Sequence, residues 1–212
     1  MRQQQGSMLV YILIAVALMA AVMYAVSSDN SGQQSERMSD TRADLMASQM
    51  VEHVASAQQV VHHMTQWNTD YADMTFDLPG SADYDTAPTK QIYHPRGGGL
   101  QPMQLNSDMF EGGGTRGWKW QNKTNVEWSP TTATDLIYSF IDLPAAVCAK
   151  INEKLHGNAT IPSATFNFND VLVDDSTNAD FETADCAACE KVSALCVKTG
   201  TSHAFYTIIG SR

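Results

Sequence analysis

The sequence predicts an α+β protein: a long N-terminal helix, beginning as a transmembrane segment and continuing as a spine, packed on an antiparallel sheet. Three observations predict it. Near the start, Met8–Val26 is 19 residues of uncharged, almost wholly apolar sequence. Further on, Met46, Met50, Val54, Ala57, Val61 and Met64 step by 4, 4, 3, 4 and 3, which is one face of an amphipathic helix. The remainder carries short alternating or apolar runs bounded by Gly, Pro, Asn and Asp, the signature of strands and turns. Strands that follow a helix, without alternating with helices, argue for α+β.

The bulk numbers are compatible. The chain has 212 residues, 43% apolar and 17% charged, enough for one domain with a real core and an added element. General disorder is excluded. Lys+Arg 13 against Asp+Glu 23 gives a net charge of -10, which argues against a dedicated nucleic-acid binder.

Each element has its own warrant. At about 1.5 Å per residue, Met8–Val26 roughly matches the hydrocarbon thickness of a bilayer. Met1–Ser7 precedes it with Arg2 and the chain amine, so the positive-inside rule puts the N-terminus in the cytoplasm and exports everything from Ser27 onward. A cleaved secretory signal would use Ala25-Val26-Ser27, but the apolar run exceeds the usual core of about 7–15 residues. An uncleaved anchor fits the length. A third reading rests on MRQQQG|SMLVYILIAVALMAAV, in which a short polar leader with one basic residue ends at Gly6 and the apolar helix starts directly after it.

That arrangement resembles the class III leader of type IV pilins and type II secretion pseudopilins, and it is the reading favoured here. The resemblance implies a prepilin peptidase that cuts between Gly6 and Ser7 on the cytoplasmic side and leaves the helix on the mature chain. Most members of the family carry Glu at mature position five, where its carboxylate pairs with the amine of a neighbouring subunit. Here that position is Tyr11, which is similar to the minor pseudopilins that begin a filament.

After the apolar segment, Ser27–Gln34 is polar, contains Gly32, and reads as a soft spot. Thr41-Arg-Ala-Asp44 fits a capping box for a separate helix; a single helix loosened near Gly32 is preferred. The organisation is thus a leader over 1–6, a hydrophobic then amphipathic helix over 7–66, and an exported α+β domain over 67–212. Asp77–Gly117 holds four prolines and the triplets Gly97–Gly99 and Gly112–Gly114, and reads as a long irregular loop. Gly117–Gln121 and Val126–Trp128 alternate around Asn122–Asn125 and predict a hairpin. Asp135–Leu143 is an apolar strand. Pro144–Gly157 is a short helix with Val147, Cys148, Ile151 and Leu155 on one face. Ala164–Phe168 and Val171–Val173 read as short strands. Leu195–Val197 and Ala204–Ile209 flank a Lys-Thr-Gly-Thr turn as a terminal hairpin. This order is similar to the pilin layout of spine helix, variable loop, sheet and cysteine-bounded C-terminal region.

Cys148, Cys186, Cys189 and Cys196 all fall on the exported side, where disulfides form, and four cysteines allow three connectivities. The family resemblance implies a Cys148–Cys196 staple, closing a loop of roughly 50 residues worth about 4 kcal/mol in the chain-entropy model, and leaves Cys186–Cys189 to close locally. As a redox motif, Cys186-Ala-Ala-Cys189 lacks the surrounding βαβ pattern, and Asp185 and Glu190 beside it disfavour a thiolate. Cys186, Cys189, Cys196 and His203 supply zinc-type ligands at loose spacing. Asp170, Asp174, Asp175, Asp180, Glu182 and Asp185 crowd a stretch free of Lys and Arg. They lack the spacing of a known calcium loop and read as a solvated face. Gly112–Lys119 misses the phosphate-loop pattern because Trp118 separates Gly117 from the lysine. His62 and His63 are adjacent, about 100° apart on a helix, and His53 is four residues from neither; packing or surface roles fit them. Trp118, Trp120 and Trp128 read as sheet aromatics rather than an exposed binding patch.

The expected function is that of a structural subunit, minor or at the tip, of a type IV pilus-like or pseudopilus filament. It is not an enzyme, and no catalytic, cofactor-binding or metal-binding set is expected. The implied partners are other pilin-like subunits through the N-terminal helix, the prepilin peptidase and the bacterial inner membrane. The C-terminal domain would be periplasmic, or at the cell surface once assembled. The alternative is a single-pass, membrane-anchored exported binding or enzymatic domain that joins no filament.

Overall fold

Helix α1, residues 39–66, forms along the stripe read from the sequence: Met46, Met50, Val54, Ala57, Val61 and Met64 are all buried. It is already helical at residue 39, so Thr41 is not its N-cap. The computed structural model describes residues 39–103, 117–173 and 178–211. Gly6, Ser7, Met8–Val26, Tyr11, the Gly32 soft spot, Gly112–Gly114, Asp174 and Asp175 lie outside them. No helix among the described residues is long and apolar enough to cross a membrane.

Four antiparallel strands make the sheet: β1 (Trp118–Thr124), β2 (Asp135–Ile141), β3 (Ala194–Thr199) and β4 (Ser202–Gly210), in the order β1-β2-β4-β3. The two inner strands alternate across it. Leu136, Tyr138 and Phe140 of β2 and Phe205 and Ile209 of β4 share a core with α1. Ile137, Ala204 and Tyr206 point into a second core on the other face, with Val126, Phe166, Phe168, Val171, Leu172 and Phe181. A strand covered on both faces reads as a nearly unbroken apolar run, as Leu136–Ile141 does with Ser139 its one polar residue.

Helix α2 (Ala145–His156) begins after Pro144 and ends where Gly157 takes φ 70° and closes the last turn onto the Glu153 carbonyl, the role glycine plays past a helix end. Val147, Cys148 and Ile151 are buried in the first core. The terminal hairpin is present, with Gly200 at φ 60° in its turn.

Two expectations are corrected. The hairpin expected around Asn122–Asn125 is absent. β1 runs on to Thr124 and pairs with β2, and between Gln121 and Thr124 it gains one residue on its partner, a bulge. Asn122, a turn former by propensity, is held there because its amide donates to the carbonyls of Tyr71 and Ala72. Val126 instead bridges Phe181 in parallel. The strands expected at Ala164–Phe168 and Val171–Val173 are also absent. Phe168–Leu172 is a short helix, α3, capped by the Asn167 side chain. Phe168, Val171 and Leu172 lie three and four residues apart, so one helical face buries them all.

A 3-10 turn, Tyr71–Asp73, follows α1; from Asp77 to Met103 the described residues form no helix or strand, as expected, but are well tied. The buried Gln91 side chain donates to the Asp77 carboxylate and accepts the Asp77 N–H. Gly98 lies so close to α1 that a Cβ there would sit 2.4 Å from Val60 Cγ1 and 2.5 Å from the Ile92 carbonyl. Gly97 and Gly98 thus allow close packing, whereas Gly99 has open space and takes φ 66°.

Candidate functional site

Helix α2 is tied to β3 at Cys196, and His156 at its end also meets the Ala194 carbonyl at 2.8 Å. Cys148 and Cys196 form a disulfide with Cα atoms 5.4 Å apart, spanning 48 positions, and both are fully buried. One turn along α2, the buried Asn152 side chain reaches the same residue. Its Oδ1 accepts the Cys196 N–H at 2.8 Å, and its Nδ2 donates to the Cys196 carbonyl at 2.8 Å and to the Thr160 carbonyl at 2.9 Å. Lys154 completes the attachment of α2 to the core by pairing with Asp44 of α1 at 2.7 Å, and its hydrogen bond holds the Asp44 carboxyl below the usual carboxylate range.

Cys186 and Cys189 form the second disulfide, across the short turn Ala187–Cys189. They are 2% and 0% exposed. Thiol exchange needs an accessible sulfur, so the burial speaks for a clip rather than a redox centre. Nor do the four residues weighed as zinc ligands converge. Cys196 belongs to the α1-side core, and Cys186 and Cys189 belong to the opposite one.

His53 lies on the inner side of α1, 9% exposed, with Nε2 3.0 Å from Tyr138 Oη. Tyr138 Oη also meets Tyr93 Oη. Trp118 stacks on Tyr138 with ring centres 4.5 Å apart, and Phe76 covers it from 5.2 Å. Burial pushes His53 down to about 4 and raises both tyrosine hydroxyls, so all three groups are neutral near pH 7. The other histidines of α1 are exposed: His62 contacts Gln66, and the His63 ring meets the exposed Trp67 at a tilt, 4.2 Å between ring centres. Trp118 and Trp120 pack against the α1-side core and Trp128 against the opposite one, so the tryptophans form no common patch.

Two described carboxylates of the acidic stretch are tied into the fold. Asp180 Oδ1 accepts the Asn125 N–H, and the Asp185 carboxylate accepts the Thr165 hydroxyl. Nearby, Glu127 accepts the Thr183 N–H at 2.6 Å, which lowers the Glu127 pKa. Among the described residues no three His, Cys, Asp or Glu side chains come together to hold a metal ion. A surface groove of about 480 Å³ runs past Asp142, Thr165, Asn167, Phe168 and Ser202. Among the described residues that line it, Asp142 is the one ionisable side chain.

No protein-family model matches the chain, and neither a curated protein nor a solved structure matches it. The geometry therefore stands alone, and it singles out residues that spacing did not. Asn152 carried a readable signal: an amide four residues after Cys148, on the apolar face of its helix. His53 carried a weaker one, next to Val54 in the core stripe.

Proposed function

We propose that the chain is a subunit of a type IV pilus-like or pseudopilus filament, at a minor or tip position. The observation that carries this reading is the sequence run MRQQQG|SMLVYILIAVALMAAV, a short leader ending at Gly6 with an apolar helix immediately after. The fold adds support at a coarser level, because a helix laid on an antiparallel sheet with a disulfide-tied C-terminal region is the layout that the resemblance implies.

In this reading a prepilin peptidase cuts between Gly6 and Ser7. Met8–Val26 first partitions into the inner membrane. It then exchanges lipid contacts for the same segment of neighbouring subunits, while the acidic domain faces outward. Tyr11 supplies no carboxylate for the amine of an adjacent subunit, and an unpaired charge in lipid is costly. A subunit lacking that ion pair is a poor repeating unit, yet it can serve where no earlier subunit needs pairing.

Two experiments test the reading. Gly6→Val should leave a heavier, membrane-held precursor; a mass that does not depend on the peptidase contradicts it. Quantitative mass spectrometry of sheared surface filaments should find this chain at low stoichiometry. A chain that dominates the filament mass removes the tip assignment, and one absent from filaments favours the membrane-anchored alternative.

A further inference from the structure

We propose that Asn158 is an N-glycosylation site, the acceptor of an oligosaccharide carried on a polyprenyl diphosphate. The inference goes beyond the filament reading and needs only export, for which the two disulfides speak.

The acceptor pattern Asn-x-Ser/Thr, with x not Pro, occurs twice, at Asn122-Lys-Thr124 and Asn158-Ala-Thr160. The pattern alone does not separate the two; the fold does. Asn122 lies in β1 at 8% exposure, and its Nδ2, the atom a sugar would join, donates to the carbonyls of Tyr71 and Ala72. Thr124 is fully buried, its hydroxyl donating to the Ala179 carbonyl. A transferase reaches neither residue without pulling β1 out of the sheet.

Asn158 is the opposite case. It stands just past the end of α2, and Gly157, Asn158, Ala159 and Thr160 are all exposed. Its Oδ1 accepts the Thr160 N–H at 2.9 Å and the Thr160 hydroxyl at 2.8 Å. Among the described residues nothing accepts from its Nδ2, so the side chain folds back on its own motif and leaves the nitrogen uncommitted. The Thr160 carbonyl accepts from Asn152 Nδ2 at 2.9 Å, which anchors this turn to α2. An exposed turn already closed on itself can enter an enzyme's cleft with no unfolding of the domain.

The contact also bears on the chemistry. Two donors on Oδ1 draw charge toward the oxygen and make an Nδ2 proton easier to give up. In the transfer a carboxylate of the transferase takes that proton, and the nitrogen's electron pair forms the bond to sugar C1. The C1–O bond breaks, and the lipid diphosphate leaves with its electron pair. Nothing is oxidised or reduced. Thr160 is a positioning residue in this step.

The test is tryptic mass mapping of the full chain from the membrane fraction, with thiols blocked at lysis. No Lys or Arg lies between Leu155 and Lys191, so one peptide carries Asn158 together with Cys186 and Cys189. It should be heavier than its sequence by at least one sugar residue, placed on Asn158 by fragmentation, and lighter by the two hydrogens lost to the disulfide. Trp120–Lys123, which carries Asn122, should have its bare mass. Asn158→Gln and Thr160→Val should each abolish the addition, and Thr160→Ser should keep it; these exposed positions leave the core untouched. An unmodified, disulfide-closed Leu155–Lys191 overturns the proposal while export stands, and an unmodified peptide with free thiols overturns both. An addition that survives Asn158→Gln or Thr160→Val overturns it as well, and so does modification of Asn122 to the same extent as Asn158.

Discussion

Acid should loosen this fold through His53. The imidazole is 9% exposed, bonded to Tyr138 Oη at 3.0 Å, with the Trp118 ring 5.1 Å away. Burial lowers its pKa from 6.5 to about 4. Between those two values the unfolded chain holds a proton that the folded chain does not. Stability therefore rises with pH across the window, is fully present above about 6.5, and has lost the whole contribution by about 4. A gap of about 2.5 pH units at about 1.4 kcal/mol each comes to about 3 kcal/mol, a large share of a typical stability of about 5–15 kcal/mol. The assay is urea unfolding of the full chain, followed by tryptophan fluorescence at pH 7, 6, 5 and 4, for wild type and His53→Gln. The depressed carboxylates Asp44 and Glu127 titrate alike in both chains and cancel in the difference. Wild type should lose about 3 kcal/mol more than the variant over this range. Parallel pH profiles would refute the assignment of His53 as a buried neutral group.

Three further outcomes are expected. Gly98→Ala should cost about 1–3 kcal/mol by overpacking, because its methyl meets Val60 and the Ile92 carbonyl. Gly99→Ala has open space but a φ of 66° and should cost about 1 kcal/mol; urea midpoints separate the two. Replacing Cys148 and Cys196 by Ala should destabilise by about 4 kcal/mol, and replacing Cys186 and Cys189 by about 2 kcal/mol, as loop length dictates in the chain-entropy model; paired urea titrations measure the gap. Tyr11→Glu should raise the number of copies per filament, counted by mass spectrometry of sheared filaments.

Much of the fold is legible because local period and tertiary burial agree. The stripe from Met46 to Met64, the doubly covered β2, the Pro- and Gly-bounded α2 and the terminal hairpin are all of this kind. Reading failed where tertiary partners override local preference. Asn122 speaks for a turn, but the carbonyls of Tyr71 and Ala72 hold it in a bulged strand. Phe168, Val171 and Leu172 suit a strand in composition, yet their spacing and the Asn167 cap make a helix. The site was legible in part. The cysteines stand out in any sequence, but the pairing of Asn152 with the backbone of Cys196, 44 residues away, leaves no local trace beyond one amide on an apolar face. Gly98 is similar: its triplet reads as part of an irregular loop until its distance to Val60 is known.

The central claim is that this chain is processed and assembled as a pilin-like subunit, and its N-terminus is where that claim is most exposed. Intact mass and the N-terminal peptide of the chain recovered from the membrane fraction test it directly. The account predicts a chain beginning at Ser7, and a shift to Met1 when the prepilin peptidase is removed. A chain beginning at Met1 in the presence of the peptidase, or at Ser28 after signal cleavage, would contradict it.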